Sequence, residues 1–259
     1  MIGAVAALVP FSEVAILAAF IVFLRVGAVM ALLPAFGESY VPMRVRLALT
    51  IAFTMIVAPA ILPELAPVTS AGQIVAPFIL TEVLAGLALG ILFRLMVLAL
   101  QMAGQIAAQA TSLSQIFASA GVEPQPAMGH LLTIAGLALL VMGGLPVKVA
   151  QAIVLSYQFL PPAQLIPAAA LSELGVAQVA RAFGLAMTLA MPFVIISLLY
   201  NLALGVINRA MPQLMVAMVG APAITAGGLI LLLLAMPIML DLWQGAVNAV
   251  LAAPFGAGQ

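Results

Sequence analysis

The chain has 259 residues, of which 66% are hydrophobic and 5% charged, with mean hydropathy +1.35. A soluble domain carries roughly a quarter charged residues, so this chain cannot build a water-compatible surface and reads as an integral membrane protein. Seven basic and seven acidic residues cancel, which leaves no electrostatic footprint for nucleic acid, and the absence of cysteine excludes disulfides, thiol nucleophiles and Cys-based metal sites.

The elements in chain order are all helical. The N-terminus lacks the basic region that precedes the apolar part of a cleaved secretory signal, so this end is expected to be retained. Residues 14–33 form the first apolar segment, closed by Pro34 and a turn at Gly37. Arg25 falls near its middle. An arginine at bilayer depth costs ~2.5–3.5 kcal/mol even on lenient insertion scales, so Arg25 is expected to face protein or water. Residues 47–62, bounded by Pro59 and Pro63, form a second segment that is short for a span, and a polar loop is expected over 63–72.

Residues 74–110 are too many for one simple span and carry Glu82 and Arg94. Gly86 and Gly90 have the small-xxx-small spacing of close helix contacts. Gln101, Gln105 and Gln109 recur at i, i+4 and i+8 and share one helical face. Amides in hydrocarbon need partners, so this stripe lines either a helix interface or a wet passage. Residues 111–126 are rich in small and polar side chains and read as a loop, with a turn at Gly121 and the Pro124 and Pro126 pair. Such backbone is tolerated at membrane depth only inside protein or beside water. His130 has no partners for metal or acid–base chemistry and reads as a loop or helix-end residue.

Residues 128–142 and 147–160 are apolar and flank Gly143-Gly144-Leu145-Pro146. A stiff connector through Pro161, Pro162 and Pro167 leads to a final hairpin running from Ala177 to Leu251. Its turn holds Asn208, Arg209, Pro212 and Gln213, with Asn208 as a cap at the break and Pro212 in the first turn of the new helix. Asp241 and Trp243 are expected at the far membrane interface, where indole rings tend to sit.

Several separated motifs resemble the FliR family of type III protein-export gates. They are Arg25, Pro34, Gly37, Pro42, Arg44 and Arg46; Ala103, Gly104 and Ile106; the run SYQFLPP from Ser156 to Pro162; and Asn201, Gly205, Arg209, Pro212, Gln213, Gly220 and Pro222. The resemblance implies an all-α polytopic membrane protein of long, kinked helical hairpins, packed in a helical hetero-oligomeric export gate. It implies a flagellar system or its injectisome counterpart, in the bacterial inner membrane at the flagellar basal body. The implied partners are FliP- and FliQ-type subunits, an FlhB-type switch protein and unfolded export substrates. Residues 1–175 would then pack as FliP does and residues 176–259 as FliQ does. The loop at 112–126 would plug the channel, with Ser112, Leu113, Ser114, Gln115, Ile116, Phe117, Ala118, Ser119 and Gly121 as its gating residues. Gln101, Gln105, Gln109, Arg25 and Arg94 would serve assembly or line the channel.

A small ion or metabolite transporter is the competing class. Such proteins show inverted repeats and midplane ionisable clusters, and no clear repeat is visible here. No Ser-His, His-Glu or paired-carboxylate spacing points to an enzyme, and no cofactor or metal is expected. In the gate reading, proton-motive force and a separate ATPase drive transport, so the chain need not catalyse anything.

Arg44, Arg46 and Arg209 fall in loops of one parity if six crossings are counted, and Glu64 and Glu173 in loops of the other. The positive-inside rule then places both termini outside and the Arg209 turn in the cytoplasm. An Ala210→Cys variant, the only thiol in the chain, should be labelled by a membrane-impermeant reagent from the cytoplasmic side alone. Labelling of intact cells from outside would reverse the topology.

Overall fold

The computed structural model describes residues 2–38, 40–69, 76–111, 127–165, 167–211 and 216–255. Among these residues the protein is all-helical: α1 (Ile2–Leu32), α2 (Met43–Thr69), α3 (Ala76–Thr111), α4 (Ala127–Met142), α5 (Leu145–Phe159), α6 (Ala168–Ala210) and α7 (Val216–Ala252). Five helices are long and apolar enough to cross a membrane, and six spans result if α4 and α5 are one broken span. That is the number of crossings on which the topology above rests. The 36 residues of α3 and the 43 of α6 extend about 54 and 65 Å, well beyond the ~30 Å hydrocarbon layer.

Three boundaries differ from the sequence reading. Helix α1 begins at Ile2, so the polar and proline-containing start of the chain does not delay it. Helix α2 runs straight through Pro59 and Pro63, which replaces the short segment and the beginning of the expected loop. The two prolines are four residues apart and so share one helical face, which confines the lost backbone hydrogen bonds to one side. In an apolar environment the remaining backbone groups have no water to turn to, and the helix persists. Helix α6 starts at Ala168 rather than Ala177, because the prolines end at Pro167 and the following alanines favour helix. Pro167 O caps that start by accepting the Leu171 N–H at 3.1 Å.

The chain forms two compact units, each discontinuous in sequence. Unit one comprises Met1–Arg94, Val141–Gln178 and Val247–Gln259. Its core face on α1 is Ala18, Ile21, Val22, Val26, Val29 and Met30, spaced at three and four residues, and on α2 it is Phe53, Val57, Ile61 and Leu65. Gly86 lets α3 approach α1 closely, since a Cβ there would meet Arg25 O and the Ala28 Cβ. One turn on, a Cβ at Gly90 would lie 3.0 Å from the Leu32 Cβ. The small-xxx-small pair is thus a backbone-to-backbone contact. After α1 the chain reverses through Ala35, in the left-handed region at φ 69, and Gly37 N–H donates to Leu33 O at 2.6 Å.

Unit two comprises Leu95–Leu140 and Val179–Ala246. Met96, Leu100, Ala103 and Ala107 form the buried face of α3, and Ala182, Ala186, Leu189, Ala190 and Phe193 that of α6. Trp243 is fully buried and donates its indole N–H to Met96 O at 2.7 Å. The expected interfacial indole is therefore a strut inside the unit. Burying an indole requires a partner for its single donor, and the Met96 carbonyl provides it. A Cβ at Gly136 would lie 2.4 Å from Leu100 Cδ2 and 3.2 Å from the far edge of that ring, so α4 packs tightly against both side chains there.

Candidate functional site

The charges that look isolated along the sequence are paired in space. Arg25 is 1% exposed and Glu82 0%, and they face each other across unit one. The guanidinium donates from Nε to Glu82 Oε2 at 2.7 Å and from Nη2 to Oε1 at 3.2 Å, the planar two-toothed match available to arginine and not to lysine. Nη1 donates to Ser156 Oγ at 3.0 Å and Nη2 also to Leu160 O at 2.9 Å. The Tyr157 ring lies under the guanidinium, its centroid 3.6 Å from Cζ. Ser156 in turn donates its hydroxyl to Ile153 O at 2.6 Å.

Local structure explains how each group arrives. Arg25 lies on the buried stripe of α1, and Glu82 sits one turn before Gly86, where α3 comes nearest to α1. Ser156 and Tyr157 occupy the last turn of α5, whose final carbonyls have no partner inside the helix. Leu160 N–H donates to Ser156 O at 2.8 Å, which turns the Leu160 carbonyl outward as an acceptor for Arg25. The arrangement can hold a cation inside an apolar bundle and join α1, α3 and α5. It offers no nucleophile–base pair, and no group of three or more metal-ligating side chains occurs among the described residues.

Arg94 pairs with Glu38 through Nη1 and Oε1 at 2.5 Å, and Arg46 Nη2 donates to Glu38 O at 3.1 Å. The turn after α1 is thereby tied to α2 and α3. Both partners of the Arg94 pair are partly exposed, so its net worth is about 0–1 kcal/mol. Arg44 is exposed.

In unit two, Gln101 and Gln105 are half-buried and Gln109 is exposed. Gly129 at the start of α4 packs against this stripe, a Cβ there falling 3.6 Å from Gln105 Cγ. Gly104, on the neighbouring face of α3, approaches the Gly129 backbone so closely that a Cβ would overlap its Cα. At the end of α6, Asn208 and Arg209 are exposed in the last helical turn, so Asn208 does not cap the break. The α6 carbonyls continue to be used up to Met211, whose N–H donates to Ile207 O at 2.8 Å. Arg209 places a cation at the negative end of the helix, which is favourable. Pro212 and Gln213 lie outside the described residues, as do all the residues expected to gate, from Ser112 to Ser119 and Gly121.

Glu38, Ser156 and Tyr157 escaped the reading of the sequence as contributors to charge burial. Ser156 and Tyr157 do stand in the SYQFLPP run, which was a signal of family and carried no indication of a role.

Among the described residues, five helices long and apolar enough to cross a membrane, or six spans if α4 and α5 count as one, define a polytopic helical membrane protein. The family described as "Bacterial export proteins, family 1" matches residues 16–250, and the chain belongs to that family. It is similar to the flagellar biosynthetic protein FliR of Caulobacter vibrioides, 32% identical over 233 residues that cover 89% of this chain and 93% of the relative. The FliR proteins of Aquifex aeolicus and Escherichia coli are 29% and 28% identical over 223 and 225 residues, covering 84% and 83% of this chain. The FliR resemblance drawn from scattered motifs therefore holds across most of the chain.

The ion pair yields a test. Glu82→Gln should leave a buried guanidinium without its counter-charge and destabilise the protein by about 3–5 kcal/mol, whereas Arg25→Met combined with Glu82→Met should recover most of that loss. Thermal midpoints of the purified protein in mild detergent would measure both. Equal midpoints for Glu82→Gln and the wild type would show that the pair does not hold the helices.

Proposed function

We propose that the chain is a subunit of the flagellar protein-export apparatus in the bacterial inner membrane, where it helps form and seal a channel for unfolded substrates. The observation that carries this reading is the 32% identity to a protein named for flagellar biosynthesis over 93% of that protein's length, within a family of bacterial export proteins. Its partners in this reading are FliP- and FliQ-type subunits and an FlhB-type switch protein. Residues 1–175 pack as FliP does and residues 176–259 as FliQ does.

The physical features of the chain suit a conduit. Large apolar side chains remain exposed along α2, α6 and α7, among them Met55, Leu198, Leu202, Leu233 and Leu234. Lipid or neighbouring helices must cover them, and helices much longer than the hydrocarbon layer leave room for neighbouring helices. The half-buried amides of Gln101 and Gln105 can bond to a neighbouring helix or face water in the conduit.

The seal in this reading is residues 112–119 with Gly121. Ile116 and Phe117 are bulky and apolar, and hydrophobic constrictions gate by excluding water. The serines compete for backbone hydrogen bonds and disfavour continued helix, and Gly121 supplies hinge freedom. Deletion of 112–119, expressed together with the partner subunits, should leave the gate assembled but leaky in ion-flux and growth measurements. A deletion complex that assembles normally and remains as tight as wild type would remove these residues from the seal.

A further inference from the structure

Helix α7 has two unlike faces within unit two. Gly228, Leu232, Met239 and Trp243 are buried and turn inward. The space at Gly228 is filled by Thr111, since a Cβ there would lie 2.7 Å from the Thr111 Cβ. Gly227, Ile230, Leu234, Ile238, Asp241 and Gly245 recur at steps of three and four residues, so they share the opposite face. All six are exposed. A Cβ at Gly227 or Gly245 would meet nothing within 4 Å, and neither residue has a positive φ. Glycine inside a helix is less favourable than alanine, and no contact within unit two accounts for these two.

Asp241 is the charge on this apolar face. It stands within Ala223–Ala252, the part of α7 apolar enough to cross a membrane, and about three turns of that stretch continue beyond it. Its carboxylate forms no ion pair or hydrogen bond among the described residues. Arg181 and Arg209, the basic side chains of the same unit, are exposed on α6 and are not paired with it. Arg25 and Arg94, in unit one, each find a carboxylate within the chain. Lipid tails cover leucine and isoleucine, but they offer a carboxylate no partner. A helix with a basic side chain supplies the complementary charge, and glycines on α7 let its backbone come close. A second copy of this chain fits poorly. Two copies in one membrane orientation, related by a two-fold axis, run parallel and set Asp241 against Asp241.

We infer that the outward face of α7 from Gly227 to Gly245 docks a transmembrane helix of a different subunit, one carrying an arginine or lysine that pairs with Asp241. The inference rests on the export-apparatus reading above and names the chemistry of one of its partners. Gly227 and Gly245 mark the two ends of close approach, and Ile230, Leu234 and Ile238 supply the apolar contact between them.

The test uses the full chain expressed with the partner subunits and purified in mild detergent. Asp241→Lys should lower recovery of the mixed assembly tenfold or more, and Gly245→Leu, which adds bulk without charge, several-fold. Both sites are exposed, so the thermal midpoint of the isolated chain should stay at the wild-type value in each. In an otherwise wild-type chain, Ile238→Cys provides the only thiol for a bifunctional cross-linker. Mass identification of the linked peptide should give a helix of another subunit with a basic residue near the cross-link. Changing that residue to Glu should restore assembly with Asp241→Lys. Wild-type recovery for both Asp241→Lys and Gly245→Leu, with a mixed wild-type assembly, overturns the docking face alone and leaves it to lipid. A cross-link between two copies of this chain overturns the choice of occupant. Failure of the charge exchange to restore assembly overturns the pairing with Asp241. A wild-type chain recovered only as a monomer or homodimer overturns the export-apparatus reading and this inference with it.

Discussion

The Arg25 guanidinium, 1% exposed in a chain with only 5% charged residues, sets the terms for unit one. A charge of that kind cannot be left facing hydrocarbon, and its loss of hydration costs several kcal/mol even inside protein. The fold answers with a two-toothed carboxylate, a serine hydroxyl, a backbone carbonyl and an aromatic face, drawn from α3 and α5. Each of those groups comes from a different constraint: the Gly86 approach places Glu82, and the unused carbonyls at the end of α5 supply Leu160 O. The pair is thus less a contributor of net stability than a condition on how α1, α3 and α5 can meet.

Unit two meets the same requirement with neutral groups. Trp243 brings one donor into the interior and finds Met96 O, Tyr200 donates its hydroxyl to Gly220 O, and Thr225 reaches Thr111 O. Between these bonds, Gly104 and Gly129 let the backbones of α3 and α4 touch, while Gly136 and Gly228 make room for the side chains of Leu100, Trp243 and Thr111. Association of helices in an apolar medium gains little from the hydrophobic effect, so close packing and hydrogen bonds must hold the unit together. The apolar side chains left exposed on α6 and α7 extend this logic outward, because a covering helix would be held by the same means.

The class of protein was legible from composition alone, and the family from a few motifs, because both depend on residue identity rather than on three-dimensional pairing. Helix boundaries were less legible. Prolines at 59 and 63 suggested an early end to α2, yet a helix without competing water continues through them. Arg25 was expected to face protein or water, but Glu82 and Ser156 are 57 and 131 residues away in sequence, with no periodicity to connect them. Trp243 read as an interfacial anchor because the indole preference is statistical, whereas its location depends on whether a partner carbonyl is within reach. Gly228 could not be told from Gly227 without coordinates, since the distinction is entirely the presence of Thr111. The residues proposed to gate, 112–119 and Gly121, lie outside the described residues.

Incomplete burial of the apolar helix faces, the half-buried amide stripe and the membership of an export family converge on one claim: this chain works inside a mixed membrane assembly. Native mass measurement after purification in mild detergent tests that claim most directly. The account predicts an assembly containing this chain together with other, different membrane subunits. A monomer or a plain homodimer, obtained under conditions that preserve other membrane complexes from the same cells, would contradict it.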